Sequence, residues 1–483
     1  MSLAELLSYY TEKKNINYTH LAEYLGIDRS TLYKYMKGKR AFPSENILKE
    51  IATYLRLNNE ETKQLLEAYE VDTTGEFVYY RRKHIEEFFK EADHAINQVA
   101  HISNKIELRE DSLENDVYSG TLNVEHVLYS LYASEAKEEH PHVRIMEQPY
   151  TLSVVLKSFI QLNAKIPITH LFCLDNTQKE TQNHEFYNLI CLNNLLPIIM
   201  FNNYYNAYYY YSNVAIINSH DLFFPNVMIT THYVFTYTND HSQGILYKKP
   251  QIVSAYKEQF DSYQRNASLF MERVSWNDYF TNIKMFGADL NYAMDIFTTP
   301  CPTNVFLDED EEILRECLKD FFPYKDEFIQ SFMAYVKYWN EVFLPAHKYI
   351  YHTIYTYQGL LYFTESGYFH DIPAELFNPL SLENRLTILE RWRQFVIDYP
   401  SIQMADMPYF PAESTTYFLV CNHDFNILFS DPTGTLASIT IKESTLVEAF
   451  DDFLENVVKK NVYSKEDEIR CIDECIEKIK KEL

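Results

Sequence analysis

Glycine is scarce in this chain, with nine residues in 483. The patterns GxGxxG, GxxxxGK and GxSxG are all missing, which removes the common phosphate cradles and the nucleophile elbow. No apolar run approaches the ~18 residues that span a bilayer. The longest, LLPIIMF at 195–201, has Asn on both sides. The opening MSLAELLSYYTEKK has no basic n-region, apolar core or small-residue cleavage site, so a cytoplasmic protein without a membrane partner is expected. Seven cysteines (173, 191, 301, 317, 421, 471, 475) form no CxxC pair. Reduced, buried thiols follow, and neither a disulfide framework nor a zinc knuckle. Cys471 and Cys475 are four apart on a helical pattern but have no companion ligand nearby, so no metal and no other cofactor is expected.

Positive charge is also in deficit. The formal net charge is -26, yet residues 1–70 carry ten Lys/Arg and ten Asp/Glu, so the rest of the chain holds the whole excess of acid. An acidic body repels polyanions, which leaves the amino-terminal piece as the only candidate surface for one. Within it GIDRSTLYKYMKGKR, residues 26–40, sets Arg29, Lys34, Lys37, Lys39 and Arg40 against the single acid Asp28.

Apolar residues across 1–70 recur at helical spacing: Leu3, Leu6, Leu7, Tyr10; Leu21, Ala22, Leu25; Leu32, Tyr35, Met36; Ile47, Leu48, Ile51, Leu55. Asn17 and Asp28 stand where helix caps belong, and Gly26 where a turn requires positive φ. The pattern is a helix-turn-helix. LAEYLGIDRSTLYKYMKGKRAFPSENILKEIATYL, residues 21–55, resembles the Xre class, the lambda-repressor/Cro type of DNA-binding domain. Two departures stand out: Met36 occupies a position usually held by Glu, and Phe42 is one residue of extra loop before Pro43 and Ser44. The resemblance implies that the third helix enters the major groove, with Arg29, Ser30, Thr31 and Lys34 reading base edges. Tyr18, Tyr33, Lys37, Lys39 and Arg40 would then contact phosphates.

VDTTGE at 71–76 reads as a linker, and 77–110 as one long helix with Tyr80, His84, Glu87, Glu91, His94 and His101 along one flank. Such a ladder is more often a solvated face than a metal site. Downstream, THYVFTYTNDHSQGILY (231–247) with IVSAYKEQF (252–260) echoes TTYFLVCNHDFNILFSD (415–431) with LVEAFDDF (446–453). Each unit reads as strand, polar turn, strand and amphipathic helix, preceded by a helix and strand at 152–175 and 380–407. The expected organisation is multidomain: an all-α helix-turn-helix domain (1–70), a linker and long helix (71–119), a first α/β unit (120–270), a helical connector (271–340), and a second α/β unit with carboxy-terminal helices (341–483). The second unit shows no counterpart of the Asn/Tyr-rich stretch 193–211.

The order of elements resembles the phospholipase D superfamily and its degenerate sensor relatives. Active members need HxKxxxxD in each half, and none of the 16 histidines here is followed two positions on by Lys. No catalytic residues are therefore assigned, and the body is expected to be an effector-sensing or dimerising region. An effector, a small molecule or peptide, would use Tyr208, Tyr209, His220 and His232 in the first unit. The partner implied by the amino-terminal motif is a double-stranded DNA operator bound by a homodimer. Two alternatives compete: a diverged phosphodiesterase with a DNA-targeting domain, and a helical-repeat peptide receptor. The absence of a regular 34-residue period argues against the second.

Overall fold

Capping residues set the first helices in place. In α1 (Leu3–Lys13) Ser2 and Glu5 form a reciprocal capping box, and in α2 (Tyr18–Leu25) the Asn17 side chain accepts from the Thr19 N–H. Gly26 closes α2 at φ 65, a left-handed conformation that Gly adopts without steric cost. Asp28 precedes α3 (Arg29–Met36) in an extended conformation, but its side chain makes no capping bond. Helices α4 (Glu45–Tyr54) and α5 (Asn59–Thr74) complete the set, the latter with a second capping box from Asn58 and Glu61. Their apolar faces share one core containing Leu7, Tyr10, Leu21, Leu32, Met36, Leu48, Ile51 and Leu65.

The structure is a computed structural model describing residues 1–98, 113–114, 116–153, 156–157, 160, 165–175, 186–214, 223–275, 294–298, 306–307, 309–321, 325–343, 345, 353–368, 377–407, 417–421, 424–430 and 436–483. The chain forms two compact units, one spanning Met1–His84 and the other Ile85–Lys179 with Phe186–Leu483. It is multidomain, a helical amino-terminal region followed by a mixed α/β body. The stretch 71–76 is not an open linker. Val71–Thr74 complete α5, α6 (Glu76–Gln98) begins two residues later, and the break is confined to Gly75 at φ 90. One glycine interrupts the helix where the sequence suggested a six-residue linker.

In the second unit the chain builds two sheets. The first contains β1 (Val117–Ser119), β2 (Val143–Met146), β3 (Ile168–Leu174), β4 (Tyr205–Tyr211), β5 (Asn226–Ile229), β6 (Val234–Tyr237), β7 (Gln243–Tyr247) and β8 (Ser268–Leu269). Its order is β1-β7-β6-β5-β2-β3-β4-β8. Helix α7 (Thr121–Glu135) follows β1, α8 (Tyr187–Phe201) precedes β4, and α9 (Pro250–Gln264) follows β7. The second contains β9 (Met271–Ser275), β10 (Met294–Thr298), β11 (Thr353–Thr356), β12 (Ile402–Ala405), β13 (Tyr417–Cys421), β14 (Asp424–Ser430) and β15 (Leu436–Ile441), ordered β12-β11-β10-β13-β14-β15-β9. Its helices are α10 (Glu311–Cys317), α11 (Lys325–Tyr338), α12 (Tyr357–Ser366), α13 (Leu382–Asp398), α14 (Ser444–Phe453) and α15 (Lys465–Glu482).

The two sheets share one topology. Strands β1 to β7 correspond in order to β9 to β15, with every neighbour and every strand direction preserved. Even the short edge strand β8, antiparallel to β4, has an equivalent in the antiparallel bridge from Ala405 at the end of β12 to Val462. Two expectations change as a result. The segment 271–340, read as a helical connector, supplies β9 and β10 as well as α10 and α11, because five-residue strands pairing with distant partners leave little local signature. The stretch 193–211 does have a counterpart: α8 and β4 correspond to α13 and β12. The run YNAYYYY and the strand IQMA share a place in the sheet and open alike, with a buried side chain on either side of a more exposed amide residue; they differ in the tyrosines that follow.

Polar bonds join the halves. Tyr211 at the end of β4 donates to the buried Glu443 carboxylate (2.6 Å), which also caps α14 through the Thr445 and Leu446 N–H groups. Arg273 on β9 donates to the carbonyls of Ile199 and Met200, filling acceptors that the end of α8 leaves unpaired. Phe88 and Phe89 of α6 pack on Phe450 of α14, and Phe425 stacks on the same ring at 3.8 Å.

Gly244 on β7 lies under an aromatic cluster. Phe235 stacks on Tyr237 and meets Tyr118 edge-on, and a Cβ at residue 244 would fall 2.2 Å from the Phe235 ring. Gly244→Ala is expected to destabilise the body by about 1–3 kcal/mol through overpacking, read as a lowered unfolding midpoint.

Candidate nucleic-acid interface

Helix α3 owes its orientation to what it buries. Leu32, Tyr35 and Met36 are buried in the helical core, and at about 100° per residue the opposite direction falls on Ser30, Lys34 and Lys37. All three are exposed. Arg29 is exposed at the helix start, Tyr33 is exposed on one flank, and Thr31 is half-buried on the other. Of the residues expected to read bases, the structure thus turns Ser30 and Lys34 fully outward and Thr31 partly inward. Lys37, expected at phosphates, shares the outward stripe.

The loop after α3 carries the remaining cations. The Gly38 N–H donates to the Tyr35 carbonyl (3.0 Å) and the Lys39 N–H to the Lys34 carbonyl (2.8 Å), a closed turn that requires Gly38 at φ 63. Lys39 and Arg40 beyond it are exposed. Among the described residues no carboxylate pairs with Arg29, Lys34, Lys37, Lys39 or Arg40, whereas Lys13, Lys49 and Lys63 of the same unit each pair with a Glu. Exposed cations without an ion-pair partner among the described residues make a locally basic surface. Tyr18 is a different case. The Thr11 hydroxyl lies 2.7 Å from the Leu7 carbonyl and 3.1 Å from the Tyr18 hydroxyl, so Tyr18 is engaged within the helical unit.

Of the expected effector residues, Tyr208, Tyr209 and His232 do not converge. Tyr208 and Tyr209 are neighbours on β4 and face opposite sides of the sheet. Tyr208 packs on the cluster of Leu171, Ile229, Val253 and Phe260, while Tyr209 meets Phe270 and Tyr211 edge-on. His232 is exposed, 3.4 Å from Glu138. His220 lies outside the described residues. Among the described residues no cluster of His, Cys, Asp and Glu could hold a metal ion.

A polar cluster of the body was not legible in sequence. Glu147, just after β2, is buried and accepts from the Tyr237 hydroxyl (2.5 Å); His241 bridges it to Glu125 at 2.9 and 2.7 Å. His170 on β3 bonds the Glu147 carbonyl (2.8 Å) and the Tyr205 hydroxyl. The two imidazoles are pushed in opposite directions. Burial disfavours the charged form of His241, but its hydrogen bonds to Glu125 and Glu147 outweigh that and raise its pKa to about 9; burial lowers that of His170 to about 4. Both values straddle the unfolded value of about 6.5. His241 therefore contributes stability that is complete below pH ~6.5 and lost as pH rises toward 9. His170 contributes in the opposite sense, its share being lost as pH falls from ~6.5 toward 4. A thermal-unfolding series should show decline at both ends, and His241→Gln should abolish the alkaline arm only.

No family model matches the chain, and no curated protein matches it. Among solved structures it is similar to TrmBL2, an archaeal chromatin protein described as showing a novel mode of DNA binding, at 12% identity and TM-score 0.19, over 43% of this chain and 71% of that one. It is also similar to a phosphatidylserine synthase from Haemophilus influenzae Rd KW20, at 8% identity and TM-score 0.21, over 78% and 91%. Likeness at these TM-scores carries no argument about fold or function. No helix among the described residues is long and apolar enough to cross a membrane.

Proposed function

We propose that the protein is a sequence-specific DNA-binding regulator of transcription, similar to the Xre class, with a non-catalytic α/β body that dimerises it. One observation carries the reading: a helix-turn-helix whose outward face and following loop present five exposed cations without an acidic partner, on a chain of net charge -26. In this reading Arg29, Ser30 and Lys34 meet base edges, and Lys39 and Arg40 meet phosphates. Acid on the body opposes contact with DNA elsewhere, so the amino-terminal unit alone engages the duplex.

The dimer follows from size. A single small module buries too little surface for tight specific binding, and proteins of this architecture reach it by pairing half-sites. The effector reading rested on a segment thought to be peculiar to the first α/β unit. That segment has a counterpart in α13 and β12, and Tyr208, Tyr209 and His232 are dispersed, so no effector site is proposed. The phosphodiesterase alternative lacks its HxKxxxxD motif in either half.

Binding to a randomised duplex pool, followed by affinity measurement on the enriched sequence, tests the reading. Arg29→Ala should cost about 1–3 kcal/mol on that sequence and relax base preference. Lys39→Ala should weaken all sequences alike and reduce the salt slope by about one phosphate contact. Identical behaviour of the two variants would contradict the assigned roles. Footprinting with the full chain should reveal two half-sites with centres about 34 Å apart; a single protected half-site would remove the dimer from the proposal.

A further inference from the structure

The residue that sets this loop apart is Phe42. It is buried, as is Tyr35 on α3, and their rings stack with centroids 4.9 Å apart and planes at 29°. The exposed Arg40 guanidinium lies over the same Tyr35 ring, 5.5 Å from its centroid. The loop is thus anchored at both ends. At its start the Gly38 and Lys39 N–H groups are bonded back to α3, and at its end Phe42 is held in the core. Between the anchors, Lys39, Arg40 and Ala41 face solvent.

Deepening the DNA reading above, on which it rests, we propose that Tyr35 and Phe42 are positioning residues. They hold Arg40 in the orientation in which it meets the nucleic-acid backbone, making the loop a preformed phosphate clamp. An arginine side chain is long and rotamer-rich, and fixing it in advance lowers the ordering cost of each contact it makes. A guanidinium on an aromatic face keeps its edge N–H groups free, so the stacking that orients Arg40 leaves its donors available to a phosphate. The Phe42 ring supports the Tyr35 ring from within the core, and Arg40 is oriented through both. A core plug would need only apolar volume at residue 42. A positioning pair needs the flat ring.

Full-length chains and a random-sequence DNA duplex at low salt test this, since a phosphate clamp acts on any sequence. Phe42→Leu keeps apolar volume without the ring face, and Arg40→Lys keeps the charge without the planar stack while leaving the core untouched. Each should weaken binding about 3- to 10-fold. Phe42→Leu should add little to Arg40→Ala in the double variant, because both remove one coupled unit. Phe42→Tyr should bind like the parent chain. Hydrogen exchange of residues 37–42 should quicken in Phe42→Leu. If Arg40→Lys binds like the parent, or if the Phe42→Leu loss persists in full beside Arg40→Ala, the positioning role is overturned and the DNA reading stands. Failure of the parent chain to bind the duplex at all overturns the DNA reading itself.

Discussion

The burial of Leu32, Tyr35 and Met36 in the helical core is the constraint on which the amino-terminal unit depends. These residues fall on one side of an eight-residue helix, so the side that meets solvent is fixed with them. Leu32 shares the core with Leu21 and Ala22 of α2, and the turn between the helices is set by Gly26 at positive φ. A change in which side of α3 is buried would exchange the exposed Ser30, Lys34 and Lys37 for apolar side chains. The proposed interface is the outer surface of a packing solution.

The body solves a different problem by using one answer twice. Each half sets three parallel strands beside an antiparallel meander and adds a leading strand at the meander's edge, where β1 and β9 hold equivalent places. Parallel strands require long crossover connections, and α8, α12 and α13 supply helices there. Where the pairing coincides the side chains differ in part: β4 continues into a run of tyrosines, whereas its counterpart β12 ends after IQMA. Duplicated topology with partly divergent side chains is expected when strand pairing constrains the backbone more tightly than it constrains the side chains.

Charge divides the chain in the same way that folding does. The amino-terminal unit leaves basic groups unpaired on one face, while many cations of the body are tied to acids, as Arg144 is to Asp261 and Arg393 to Asp473. Exposed pairs of this kind add little stability. Each pair is locally neutral, so the excess of acid over base outside residues 1–70 remains.

The sequence by itself determined the helix-turn-helix, because its information is local: caps, a turn glycine and apolar spacing all lie within a few residues of the structure they specify. It also pointed to a repeat, but one strand out of register: 231–247 forms β6 and β7, whereas 415–431 forms β13 and β14, the counterparts of β5 and β6, and β15 intervenes before α14. It could not place β9 and β10, assign Tyr205–Tyr211 to its counterpart, or bring Glu125, Glu147 and His241 together. Those outcomes depend on strand pairing between distant segments, which has no signature in either segment alone. Tertiary structure also decided what Tyr208 and Tyr209 each pack against, that Tyr18 meets Thr11, and that Phe42 stacks on the Tyr35 ring over which Arg40 lies. In each case the side chain's role is set by a neighbour that only folding supplies.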